Sequence, residues 1–186
     1  MLKNFMLVII ALVLASCAHS PVAHKSVVQK SKKESLIQFS GNVLNQPLLS
    51  SGGKLGLTAF KAGPMAEAND ELDRVSAMVI KGIKETLGSQ QTSVEIIDST
   101  QGQPDIALEG YVEELSKKGK LSRMMGNSQQ KLVLVGDIWL VSSGKRLLEF
   151  NVQKKFNSKK ETFMDVSYQM GQEIGSFIAS HAKQKK

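Results

Sequence analysis

Cysteine and histidine are almost missing from this chain. One cysteine, Cys17, and three histidines, His19, His24 and His181, are spread over 186 residues. A lone cysteine excludes a disulfide within the chain, so the fold must be held by its core. Two histidines fall near one end and the third near the other. The body between them therefore lacks the parts of a Ser-His-Asp triad or a histidine-rich metal site. No glycine loop cradles phosphate, because GSQQ at 88–91 and GQP at 102–104 do not lead into helices. Long apolar runs are missing too: the run at 5–14 is well short of the roughly 20 residues that cross hydrocarbon. No internal repeat is visible. Acidic residues are the scarcer charge, 17 against 24 basic, for a formal +7.

What is present begins with an address. Lys3 gives a positive start, 5–14 is apolar, and Ala15 and Ser16 are small residues before Cys17. That order is read as an export signal over 1–16 rather than as fold. Leu14-Ala15-Ser16-Cys17 resembles the lipobox of bacterial lipoproteins at every position. The resemblance implies that Cys17 is diacylated on sulfur, becomes the first residue after cleavage and is then acylated on its amine. A thiolate is the competent nucleophile for that chemistry. Buried methylenes contribute about 0.8 kcal/mol each, so two or three chains anchor durably. Ala18, where an aspartate would favour inner-membrane retention, implies the outer membrane of a Gram-negative cell, with the body facing the periplasm.

Loss of the leader removes Lys3 and leaves 23 basic against 17 acidic residues, a formal +6. Such an excess suits anionic envelope partners and, in an exported protein, argues little for nucleic acid. From 17 to 53 serine, asparagine, glutamine, glycine and lysine dominate, which reads as a lipidated cysteine followed by a flexible tether with a reach of roughly 30–35 Å. Val43-Leu44 and Leu48-Leu49 are apolar enough to dock on the body.

Residues 54–186 read as one periplasmic domain. KLGLTAF at 54–60 alternates like a strand. Leu72, Val75, Val79, Ile83 and Leu87 repeat at helical spacing over 69–87, with Asn69 as candidate cap. VEII at 94–97, DIALEGYVEEL at 105–115, KLVLVGDIWLV at 131–141 and a partner ending near Phe156 read as strands. The third of these is apolar enough to suggest cover on much of both faces. An amphipathic stripe over 162–183 carries Phe163, Val166, Met170, Ile174, Phe177, Ile178 and His181. The order β-α-β-β-β-β-α predicts an α+β two-layer sandwich, a mostly antiparallel sheet with two helices on one face.

From 105 onward, a glycine-bearing strand, an Arg/Gly loop, an apolar strand, LVSSGKRLLEF at 140–150 and a closing helix are similar to a family of small bacterial lipoproteins with a domain of unknown function. More loosely they resemble the domain shared by curli-secretion lipoproteins and activators of penicillin-binding proteins. The similarity spans about 54–180. The family often has an aspartate before the turn, where Ser142-Ser143 stand here. It brings no catalytic residue.

Chemistry-bearing candidates are few. Glu109, Glu113, Glu114 and Asp137 lie on predicted strands, where carboxylates commonly face solvent. Asp137, set in apolar GDIW, needs a donor or a wet face to offset burial. The connection SKKGKLSRMMGNSQQ at 116–130 places Lys117, Lys118, Lys120 and Arg123 before Met124 and Met125, a cationic and adaptable surface for an anion or a partner. Three roles remain. The first is a non-catalytic, lipid-anchored binding or assembly module for an envelope protein. The second is a carrier for an anionic glycolipid such as lipopolysaccharide, and the third a carboxylate-dependent cell-wall hydrolase. None calls for a cofactor or a metal.

Overall fold

Alternating burial along the long strands builds a sheet with one apolar face, and two amphipathic helices close that face. The computed structural model describes residues 26–30, 35–41, 48–49, 53–66, 70–90, 94–98, 102–116 and 129–182. Its strands are β1 (Ser26–Lys30), β2 (Ser35–Ser40), β3 (Lys54–Leu57), β4 (Lys61–Ala62), β5 (Glu95–Asp98), β6 (Ile106–Ser116), β7 (Gln129–Leu140) and β8 (Lys145–Asn157). The helices are α1 (Asp70–Ser89) and α2 (Phe163–His181). The sheet runs β1-β2-β8-β7-β6-β3-β5, with β4 also paired to β6. Contacts from β1 to β6 are antiparallel, whereas β3 lies parallel between β5 and β6. The α+β sandwich expected from the sequence is the fold observed.

Two expectations need correction. The stretch 17–53, read as tether, contributes β1 and β2, and β2 pairs with the edge of β8 through six residues. Ile37 and Phe39 are buried there, and Leu49 bridges Ala182 beyond the last helix. Their serine- and lysine-rich setting hides a period-two apolar pattern that β8 completes. The second correction concerns β7, whose cover on the second face is only partial. Leu132, Leu134 and Ile138 are fully buried under the helices, while on the opposite face Val133 is buried and Val135, Asp137 and Trp139 stay part-exposed.

The helices lie unusually close because glycines line their contact. A Cβ on Gly82 would press into the carbonyl of Tyr168, and one on Gly171 into the carbonyl of Val79. Tyr168 also donates a hydrogen bond to Glu85 across the pair at 2.5 Å. The apolar face of the sheet then fills with aromatic rings. Gly110 and Gly136 are cross-strand partners, and the rings of Phe60 and Phe150 occupy the space their missing side chains leave. Phe39 stacks on Phe177 with centroids 3.5 Å apart, and Phe156 meets Phe163 edge-on at 5.0 Å.

Local signals set the ends. Asp70, Glu71 and Asp73 oppose the positive end of α1. Thr162 caps α2: its hydroxyl accepts from the Asp165 amide, and the Asp165 carboxylate accepts from the Thr162 amide at 2.9 Å. The Thr162 amide, and the Thr162 hydroxyl donating to Asp165 Oδ2 at 2.7 Å, hold the Asp165 carboxyl below its ordinary pKa. Gly144, at φ +62°, makes the β7–β8 turn. Asn69, the candidate cap of α1, lies outside the described residues.

Candidate functional site

Because both helices sit on one side, no described helix covers the other side of β6, β7 and β8, where only Val133 among the residues of β7 is buried. Alternation places Ala107, Glu109 and Tyr111 of β6 on it, with Val133, Val135, Asp137 and Trp139 of β7 and Glu149 and Asn151 of β8. Register then does something that no short motif encodes. Glu109 pairs with Asp137, and Asp137 pairs with Glu149, so three carboxylates stand side by side across three strands. Neighbouring strands are about 4.8 Å apart, so the row concentrates negative charge on a chain that is basic overall.

One cation answers this row. Arg146 Nη1 lies 3.4 Å from Asp137 Oδ1 and 3.7 Å from Glu149 Oε2. Asp137 thus has both the donor and the partly wet face its sequence setting required, with its side chain 25% exposed. Burial still pushes its carboxyl above the ordinary value; Arg146 pulls it down, while Glu149 and Glu109 add to the rise. Among the described residues no cation pairs with Glu109. Further along the same face, Lys131 donates to Glu114 at 2.6 Å, so that acid is neutralised.

Beside the row is a recess of about 540 Å³, formed where the segment before β6 meets the end of β7. Trp139, Glu109, Gln103, Pro104, Ala107 and Leu140 are among its walls. An indole face, an apolar floor and one uncompensated carboxylate suit a cation on an alkyl stem.

A second polar cluster lies on the helix side, paired internally except at Glu173, whose Oε2 is buried without a hydrogen-bond partner among the described residues. Lys154, 4% exposed, donates to Gln169 Oε1 and sits 3.8 Å from Glu161 Oε1. Burial raises the Glu173 carboxyl, which Lys154 partly offsets. His181 stacks on Phe177 at 4.2 Å, with Nδ1 2.9 Å from the Phe177 carbonyl. It is a packing residue at the end of α2.

The residues singled out earlier for lipidation and binding, Cys17 and Lys117, Lys118, Lys120, Arg123, Met124 and Met125, all lie outside the described residues. Glu109 and Asp137 were visible as strand carboxylates, but their alignment with Glu149 and the recess beside Trp139 was not. The tryptophan was the available signal: a half-polar aromatic at the end of an apolar strand marks an edge of cover. No group of three or more side chains among the described residues is arranged to hold a metal ion. Nor is any described helix long and apolar enough to cross a membrane.

The fold and this face define a class, a two-layer α+β sandwich with one uncovered sheet face. Solved structures of PelC share the fold. PelC from Paraburkholderia phytofirmans, a dodecamer, superposes with a TM-score of 0.58 at 15% identity, covering 81% of this chain and 99% of its own. A single-substitution variant of that protein gives 0.57 over the same shares at the same identity. A Xanthomonas campestris protein of the family DUF330 aligns over 76% of this chain and 93% of its own, at 11% identity and a TM-score of 0.47. The likeness to PelC is one of fold. No protein-family model matches the sequence, and no curated protein does.

Proposed function

We propose that this chain is a lipid-anchored module of the bacterial envelope that binds and assembles with a partner rather than transforming a substrate. The observation that carries the binding role is the face of β6–β8 that no described helix covers, which is charged and bears an aromatic residue beside a recess. Three carboxylates in one row all lie on the same side of anything bound there. Glycoside hydrolysis instead needs two carboxyl groups flanking the scissile bond, so the hydrolase reading gains no support from this arrangement. The lipobox supplies the anchor: Cys17 would hold the body at the outer membrane, and the residues before Ser26 would set its distance. The dodecameric state of PelC supports self-assembly as part of the same role. A carrier for anionic glycolipid would rely on Lys117, Lys118, Lys120 and Arg123, because the uncovered face carries the wrong sign.

The test is fractionation and cross-linking of the full chain in a Gram-negative host, beside Cys17→Ala. The proposal expects the unaltered chain in the membrane fraction, cross-linked to a protein or to itself, with Cys17→Ala released. An unaltered chain that remains in the soluble fraction overturns the anchor. Co-purification of lipopolysaccharide with no protein cross-link transfers the role to the carrier.

A further inference from the structure

We propose that the uncovered face binds an extended peptide segment carrying lysine or arginine, with Glu109 and Trp139 receiving the first basic side chain. Charge comes first. The row Glu109–Asp137–Glu149 holds three carboxylates, and the one guanidinium beside it is shared between Asp137 and Glu149. Among the described residues Glu109 is left exposed and uncompensated, on a chain with a net positive charge. A ligand cation there relieves like-charge repulsion that the fold itself leaves unbalanced.

Shape comes second. The recess beside Glu109 has Trp139 on one wall and Pro104, Ala107 and Leu140 around it. An alkyl stem fits the apolar walls while its charged end reaches the carboxylate and the indole face, the arrangement that cation–π attraction favours.

Period comes third, and it selects peptide over glycan. Along β7 the part-exposed positions on this side run Val135, Asp137, Trp139, with Val133 buried at their end. They recur every second residue, about 6.8 Å, which is also the side-chain repeat of an extended peptide. A strand-like partner can set apolar residues over Val135 and Tyr111 and a basic residue at the acidic row. A sugar chain would present hydroxyl groups to those apolar positions.

This inference rests on the binding role proposed for the open face, yet the two fail separately, since peptide binding in solution needs no lipid. Trp139 is the only tryptophan in the chain, so its emission reports this face directly. The full chain in detergent is titrated with an eight-residue peptide of alternating lysine and valine, and fluorescence anisotropy of the labelled peptide gives affinity independently. Saturable binding that alters Trp139 emission is expected. Glu109→Gln should weaken it about tenfold, and Arg146→Gln should strengthen it a few-fold by freeing Asp137 and Glu149. Lys84→Gln, an equal loss of positive charge on exposed α1, should change nothing. Glu109 is exposed, so its variant keeps the fold, as an unchanged melting curve would verify. Three results would overturn the proposal: no saturable binding, equal binding of a glutamate–valine peptide, or wild-type affinity in Glu109→Gln. Binding of a glucosamine oligomer without binding of the peptide would overturn it as well, and assign the face to amino sugars.

Discussion

The two faces of one sheet are built on opposite rules. Toward the helices, β6, β7 and β8 present Ile106, Leu108, Leu134, Ile138, Phe150 and Val152, none more than 1% exposed. Away from them, the same strands alternate to Glu109, Val135, Asp137, Trp139 and Glu149, with a single shared guanidinium. The first face is close-packed enough for glycines to be filled by neighbouring rings. The second leaves like charges adjacent, which stability alone does not favour. The difference teaches where selection for folding stops: a side that no described helix covers is free to be shaped for something outside it.

If that division is right, substitutions on the helix side should dominate stability. Phe150→Ala removes a ring that fills the space over Gly136 and packs near Phe60, with centroids 6.4 Å apart. A loss of about 3–5 kcal/mol is expected, read as a shift of the urea midpoint. A loss below 1 kcal/mol would mean that the core is loosely filled. Gly171→Ala comes next. Its Cβ would meet backbone atoms of Val79, which cannot rotate away, so the helices must separate. About 1–3 kcal/mol should be lost, with Gly88→Ala as the control because nothing lies near a Cβ there. Thr162→Ala removes the two hydroxyl bonds of the α2 cap, one accepted from the Asp165 amide and one donated to its carboxylate, keeps the bond from the residue-162 amide, and should cost about 1 kcal/mol. That effect should lessen in acid. The Asp165 carboxyl is depressed in the fold, so its contribution is present above its ordinary pKa and lost as pH falls through the folded one.

How much of this division was legible depends on the range of the signal. Both helices and the five main strands beyond residue 54 follow from local periodicity, as with Leu72, Val75, Val79 and Ile83. β1 and β2 were hidden because SVVQK and SLIQFS are short and sit among lysines and serines, and their order depends on β8 far along the chain. The parallel placement of β3 between β5 and β6 is non-local in the same way. Asp137 was legible as a problem, since an acid inside GDIW must find a donor; Arg146 as its solution was not. The acid row needed register, and register here passes through irregularities at Val112/Glu114 and Ile138/Trp139. A single added or missing residue at either site would rotate a strand face and scatter the row.

The smallest effect is also the one that most sharply separates the two faces. Asp137→Asn takes a charge out of the open row without changing its shape. Burial is the largest influence on this carboxyl and raises its pKa, outweighing the pull of Arg146. Above the raised value the folded state holds a charge that the unfolded state carries more easily, so the charged form is a net penalty. As pH falls through that value the folded state takes up a proton first and the penalty fades, down toward the ordinary pKa of 3.8. The asparagine variant should therefore be slightly more stable than wild type at pH 7, by about 0.5 kcal/mol once solvent screening is allowed for. The gap should close as pH approaches 4. Denaturation midpoints of both proteins across pH 4–8 measure it. A variant less stable at pH 7 would show that the pairing with Arg146 outweighs burial, and that the open face is held together for the fold. A more stable variant with weaker peptide binding would show a residue kept for a partner at the fold's expense.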